Sequence, residues 1–170
     1  YNPVTLAGYQ SLKNQKGGDR YVDDSHNSPD GKTLYVSRGM LEDVAAFDIA
    51  TKKMLWRTDT FTFNSDHMAI NADGSKLYVS ATTAGVVWQI DTKTGQITGS
   101  FKGGTFPHDI HISADGKRIY NDSIGNTVLP QALESLKGDR QITVVDAATL
   151  QQIRVYKFEH GVRPSVLTDD

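Results

Sequence analysis

An all-β chain of repeated four-stranded antiparallel sheets is predicted by three observations: a segment that recurs three times, an Asp-Gly turn inside each copy, and short β-rich runs on either side of it. The segment reads SPDGKTLYVS at Ser28 to Ser37, NADGSKLYVS at Asn71 to Ser80 and SADGKRIYND at Ser113 to Asp122. Its Asp-Gly pairs stand 43 residues apart from Asp30 to Asp73 and 42 apart from Asp73 to Asp115. A second element follows each copy: FDIATKKMLW from Phe47, IDTKTGQITG from Ile90 and VDAATLQQIR from Val145. Each places Asp three residues before Thr, in the pairs Asp48 and Thr51, Asp91 and Thr94, and Asp146 and Thr149.

The elements of one unit follow in order from their composition. HDIHI is a strand, SADGK a tight turn with glycine where φ is positive, and RIYND the returning strand; QITVVD, the turn AAT and QIRVYKF complete the set. Four such strands make one antiparallel meander. A single sheet cannot bury both faces, and a repeat of about 40 to 45 residues is that of a propeller blade, where radial stacking covers them. The predicted fold is therefore a β-propeller of four-stranded blades covering about half a ring, with three full blades and parts of two others. The units are a blade tail at 1–15, blade 1 at about 20–58, blade 2 at about 64–102, blade 3 at about 106–158, and the first strand of a next blade at 162–168. The step from Asp115 to Asp170 is longer, 55 residues, because blade 3 carries an insertion at 123–140. Pro130 followed by QALESL predicts a short helix there, with proline in its first turn. A ring of six to eight blades needs about twice this length, so the expected partner is the missing half, from the same chain, a second copy or another protein.

The strands LYVS, LYVS and IYND, each after an Asp-Gly turn, resemble the YVTN-type propeller repeat, named for Tyr-Val-Thr-Asn at that strand. The resemblance covers nearly the whole chain and departs at Asn121 and Asp122. It implies a bacterial, commonly seven-bladed propeller, periplasmic or secreted, in a family that hosts both binding scaffolds and enzymes.

Charge and composition exclude several function classes. The net charge is -2 and the pI about 6.2, with Lys and Arg scattered among Asp and Glu, so neither a nucleic-acid footprint nor a polybasic membrane patch exists. No apolar run is long enough to insert in a membrane, and no charged-then-apolar signal segment opens at Tyr1. Without cysteine, disulfides and thiolate chemistry are excluded. The sequence lacks a Gly-x-Ser-x-Gly elbow, and its Gly-Gly pairs fall at inter-blade connections rather than before helices. Trp56 and Trp88 fall on outer and third strands, where packing of blade against blade is expected.

The candidate site lies on the innermost strands. Aligned on the Asp-Gly turn, the sixth residue before the aspartate is Asp24, His67, Asp109 or Pro164, and the fourth is His26, Ala69, His111 or Val166. Strict alternation puts these two positions on one face, while Ser25, Met68, Ile110 and Ser165 lie on the other, between blades. His108 and Arg163, seven before the turn, stand a step nearer the axial mouth. The candidate ligand-binding residues are thus Asp24, His26, His67, His108, Asp109, His111 and Arg163. Three readings compete. In the first, each Asp-His pair ties inner strands together, with Ser37 or Ser80 as partner. The second makes the mouth a polar pocket under the insertion, for a protein or a small anionic ligand met by His108 and Arg163. The third is a metal-assisted hydrolase or lyase, lactonase-like, with a divalent metal held by His26, His67 and His111. No other cofactor is evident.

Overall fold

The computed structural model describes residues 22–163 and 165–168, and the expected blade tail at 1–15 lies outside them. Twelve strands form three separate sheets. The first contains β1 (Asp24–Asn27), β2 (Thr33–Arg38), β3 (Asp43–Asp48) and β4 (Met54–Asp59). The second contains β5 (Ser65–Ile70), β6 (Lys76–Ala81), β7 (Val86–Asp91) and β8 (Ile97–Lys102). The third contains β9 (Pro107–Ile112), β10 (Arg118–Ile124), β11 (Arg140–Asp146) and β12 (Gln152–Phe158). Every sheet is an antiparallel meander in chain order, as the repeat predicts.

Local chemistry accounts for the turns. Gly31, Gly74 and Gly116 sit at φ of +69°, +74° and +71°, where a side chain would be strained, and Asp30 and Asp115 accept from Ser28 and Ser113 to close the turn. The Asp-x-x-Thr element closes the β3–β4, β7–β8 and β11–β12 turns. Asp48, Asp91 and Asp146 each accept from both the amide and the hydroxyl of the threonine three residues on.

Stacking of the sheets supplies the core. Tyr35, Val44 and Ala46 of the first sheet meet Met68, Leu77, Val79 and Ile90 of the second. Tyr78 and Val87 of the second likewise meet Ile110, Ile119 and Val145 of the third. Leu77, Ile90 and Ile119 are wholly buried, each gaining about 1.5–3 kcal/mol over exposure. Both tryptophans pack at the first seam, Trp56 donating to Thr92 O and Trp88 to Thr60 O, each at 2.8 Å.

The insertion makes a 3₁₀ segment at Gln131–Leu136 after Pro130, broken by non-helical backbone at Leu133. It is folded back by Asn126 N donating to Lys137 O at 2.7 Å and Gly125 N to Thr105 O at 3.0 Å. The described residues of the segment expected to begin a next blade, 162, 163 and 165–168, join no ladder among the described strands. Ser165 touches the inner strand of the third sheet, its amide donating to Asp109 Oδ2 at 3.2 Å.

Candidate functional site

One feature of the inner strands determines which side chains meet. β5 has an extra residue against β6 between Ser65 and Met68, and β9 has one against β10 between Pro107 and Ile110. A β-bulge at the start of a strand breaks alternation, so two consecutive residues reach the same side. Asp66 and His67 therefore contact one another, His67 Nδ1 lying 2.7 Å from Asp66 Oδ1. The connections entering these bulges are strained, with Phe61, Asn64 and Phe106 at φ of 55°, 76° and 56°. Asn64 uses its position to donate from Nδ2 to Asp66 Oδ2 at 3.0 Å.

The seven expected residues divide into two kinds of arrangement. Asp24 with His26, and Asp109 with His111, are pairs within one strand at 3.2 and 3.3 Å. Each aspartate also reaches across a seam: Met68 N donates to Asp24 Oδ2 at 2.8 Å, and Ser165 N to Asp109 Oδ2 at 3.2 Å. Burial acts to raise the Asp109 carboxyl, but His111 and the Ser165 and Ile110 amides outweigh it and hold it at about 2. Asp24 is lowered in the same way, against burial, by His26 and the Met68 amide. His26 and His111 are raised by the carboxylates they face. Ser37 and Ser80 join this network differently from expectation: Ser37 Oγ accepts from the Asp24 amide, while Ser80 Oγ accepts from Asn121 Nδ2.

His67, His108 and Arg163 belong to the second arrangement, together with Asp66. The His67 and His108 rings stack across the second seam with centroids 4.4 Å apart. His108 Nε2 is 3.9 Å from Asp66 Oδ1 and 3.4 Å from Arg163 Nη1. The hydrogen bond with Asp66 raises His67 to about 9 despite burial, and Asp24 and Asp109 add to the effect. His108, without such a bond, is lowered by burial. Burial would raise Asp66, but His67, His108 and Thr82 hold it below the ordinary carboxylate value. Asp66, His67 and His108 each offer a ligand atom within 4.8 Å of the others, the one His and Asp group with metal-ligand spacing among the described residues. His26 and His111 stay on their own strands beside their own aspartates, and of His26, His67 and His111 only His67 belongs to this group.

Asp66 escapes an alternation argument because a regular strand would turn it away from His67; the repeat alignment at the seventh position, where Asp23, Asp66, His108 and Arg163 correspond, is the signal that points to it. Asp122 was also outside expectation. It is 1% exposed, its carboxylate makes no hydrogen bond of good geometry, and burial raises it, with the Ser165 side chain only partly offsetting the effect.

Beside Arg163 opens a cleft of about 210 Å³ between the insertion and the segment before residue 164, lined by Ile124, Asn126, Thr127, Lys137, Arg140, Gly161 and Arg163. Lys137 and Arg140 share Glu134, while Arg163 has no carboxylate at ion-pair distance among the described residues. A larger groove of about 400 Å³ lies at the opposite end of the second seam, along Tyr78 and Ile112. Its lining holds none of the residues at the start of the inner strands, whereas the smaller cleft holds Arg163, which contacts His108, so the smaller cleft is the better candidate.

Stacked four-stranded meanders with a polar group at the start of the inner strands define a propeller-type repeat protein, and comparison with solved structures agrees. The chain is similar to a chain of Kuenenia stuttgartiensis hydrazine synthase, with a TM-score of 0.69 and 24% identity over 87% of this chain and 39% of that one. It is also similar to a chain of a mitotic checkpoint complex, with a TM-score of 0.63 and 17% identity over 80% of this chain and 37% of that one. Both are propeller-type folds, and at these identities the likeness concerns fold alone. The chain spans under two-fifths of either. No protein-family profile and no curated protein matches it.

Proposed function

We propose that the chain is a binding domain whose axial mouth receives a small anionic group, held in the cleft between the insertion and Arg163. The observation that carries this reading is the cleft's lining: Lys137, Arg140 and Arg163 converge there against the single carboxylate of Glu134. Its volume, about 210 Å³, is below that of drug-sized sites and suits a carboxylate or phosphate of a few heavy atoms. Arg163 presents a planar fork of donors suited to such a group. Kinship with YVTN-type propellers, and the bacterial, periplasmic or secreted setting that goes with it, belong to the same proposal. So does a further blade, from this chain or a partner, against the third sheet, whose Tyr156 is 45% exposed where the corresponding Phe101 of the second sheet is 8% exposed.

Calorimetric titration at pH 7 with acetate, oxalate, succinate, citrate and phosphate tests the reading. At least one of these anions is expected to bind the parent and to bind Arg163→Ala and Lys137→Ala at least about tenfold more weakly, the loss of one charge-assisted contact. Failure of every anion to bind, or binding unchanged in both variants, refutes it.

A further inference from the structure

We propose that Asp66, His67 and His108 form a site for a divalent transition metal of zinc type, at the seam between the second and third sheets. The proposal rests on the mouth reading above and deepens it, because Arg163 touches His108 and lines the anion cleft, so a bound metal would stand beside the anion.

Ligand type and spacing fit such an ion. Two imidazoles and one carboxylate are a donor set that zinc accepts while leaving a coordination position open. Tetrahedral bonds of about 2.1 Å place ligand atoms about 3.4 Å apart. Asp66 Oδ1 lies 2.7 Å from His67 Nδ1 and 3.9 Å from His108 Nε2, which brackets that separation. All three ligand atoms lie within 4.8 Å of one another, so small side-chain movements would close the shell.

The His108 imidazole lacks good partners. His108 Nδ1 is buried and has no hydrogen bond, and Nε2 has only the long 3.4 Å contact from Arg163. A metal at Nε2 would replace that long contact with a ligand bond. Arg163 is exposed and can swing toward the cleft as the metal takes its place.

The carboxylate is also held in place from outside the group. Asp66 is itself braced, with Thr82 Oγ1 2.9 Å from Oδ2 and Asn64 donating to the same oxygen, as outer partners orient metal-bound carboxylates.

The test uses chelator-stripped protein titrated with Zn²⁺, and with Co²⁺ followed by visible absorption. The parent is expected to bind one Zn²⁺ per chain and to give the intense ligand-field bands of a low-coordinate Co²⁺ site. His108→Ala and His67→Ala are expected to lose about 100-fold in affinity, while His26→Ala and His111→Ala keep the parent's affinity. Far-UV circular dichroism checks folding, and His108→Gln, which keeps most of the volume, replaces the alanine variant if that variant unfolds. Absence of Zn²⁺ binding by the parent, or equal losses in His26→Ala and His111→Ala, overturns the proposal. Oxalate and citrate titrations with and without Zn²⁺ separate the two readings. Metal-free anion binding that needs Arg163, with no Zn²⁺ uptake, sinks the metal site alone, whereas one tightly bound Zn²⁺ with no anion bound sinks the anion reading alone.

Discussion

Replacing Asp109 with asparagine keeps the side chain's shape and removes its charge, which isolates what the carboxylate contributes at the edge of the third sheet. In the parent this group accepts from Ile110 N at 2.9 Å and Ser165 N at 3.2 Å and faces His111 at 3.3 Å. Its fall from 3.8 to about 2 corresponds to about 2 kcal/mol of stability, at about 1.4 kcal/mol per unit. Hydrogen bonds to a charged group are worth a similar amount, about 1.5–3 kcal/mol. The sign of the pH dependence follows. A lowered carboxyl stabilises the fold fully above 3.8, and its contribution disappears as pH falls toward 2. His111, which is raised, contributes fully below 6.5 and loses that contribution as pH rises through its folded value. The pair is therefore strongest between about pH 4 and 6.5. Urea unfolding of Asp109→Asn at pH 5 is expected to show a loss of about 2 kcal/mol, or about 4–8 °C in melting temperature for a chain of this size. By pH 2.5 the difference from the parent is expected to shrink below about 1 kcal/mol. A loss under about 0.5 kcal/mol at pH 5, or an acid limb as steep as the parent's, would refute this role for the Asp109 carboxylate.

Asp122 makes the opposite prediction. Its carboxyl is buried and raised, and Ser165 offsets burial only in part, so ionisation costs stability above its unfolded value, and Asp122→Asn is expected to match or exceed the parent at pH 7, by up to about 1 kcal/mol in urea unfolding. Gly138 sits at φ +75°, and a Cβ there would lie 2.4 Å from Thr105 Oγ1. Gly138→Ala should displace the insertion from the connection at Thr105, costing about 1–3 kcal/mol in thermal unfolding and weakening any anion bound beside Arg163 in calorimetry.

Much of the fold was legible because repetition multiplies weak signals. Any one run such as KLYVS is an ambiguous short strand, but three copies at a period near 42 residues, each with Asp-Gly before and Asp-x-x-Thr after, admit only stacked meanders. The short helix after Pro130 was foreseen for the same local reason, although it forms as a broken 3₁₀ segment. The site was only partly legible. Alignment picked out Asp24, His26, Asp109 and His111 as pairs on one face, and the structure keeps them as pairs. It failed at Asp66, because sequence spacing assumes two residues per strand period and the bulge in β5 inserts one more.

The sequence by itself determined the strands, the turns and the order of stacking, since those depend on side-chain period and turn chemistry within a few residues. The tertiary structure decided which polar groups meet: the bulge in β5 brings Asp66 against His67, and the approach of two sheets places His67 against His108. Contacts across a seam depend on the backbone geometry of both sheets at once, and no spacing within one strand carries that information.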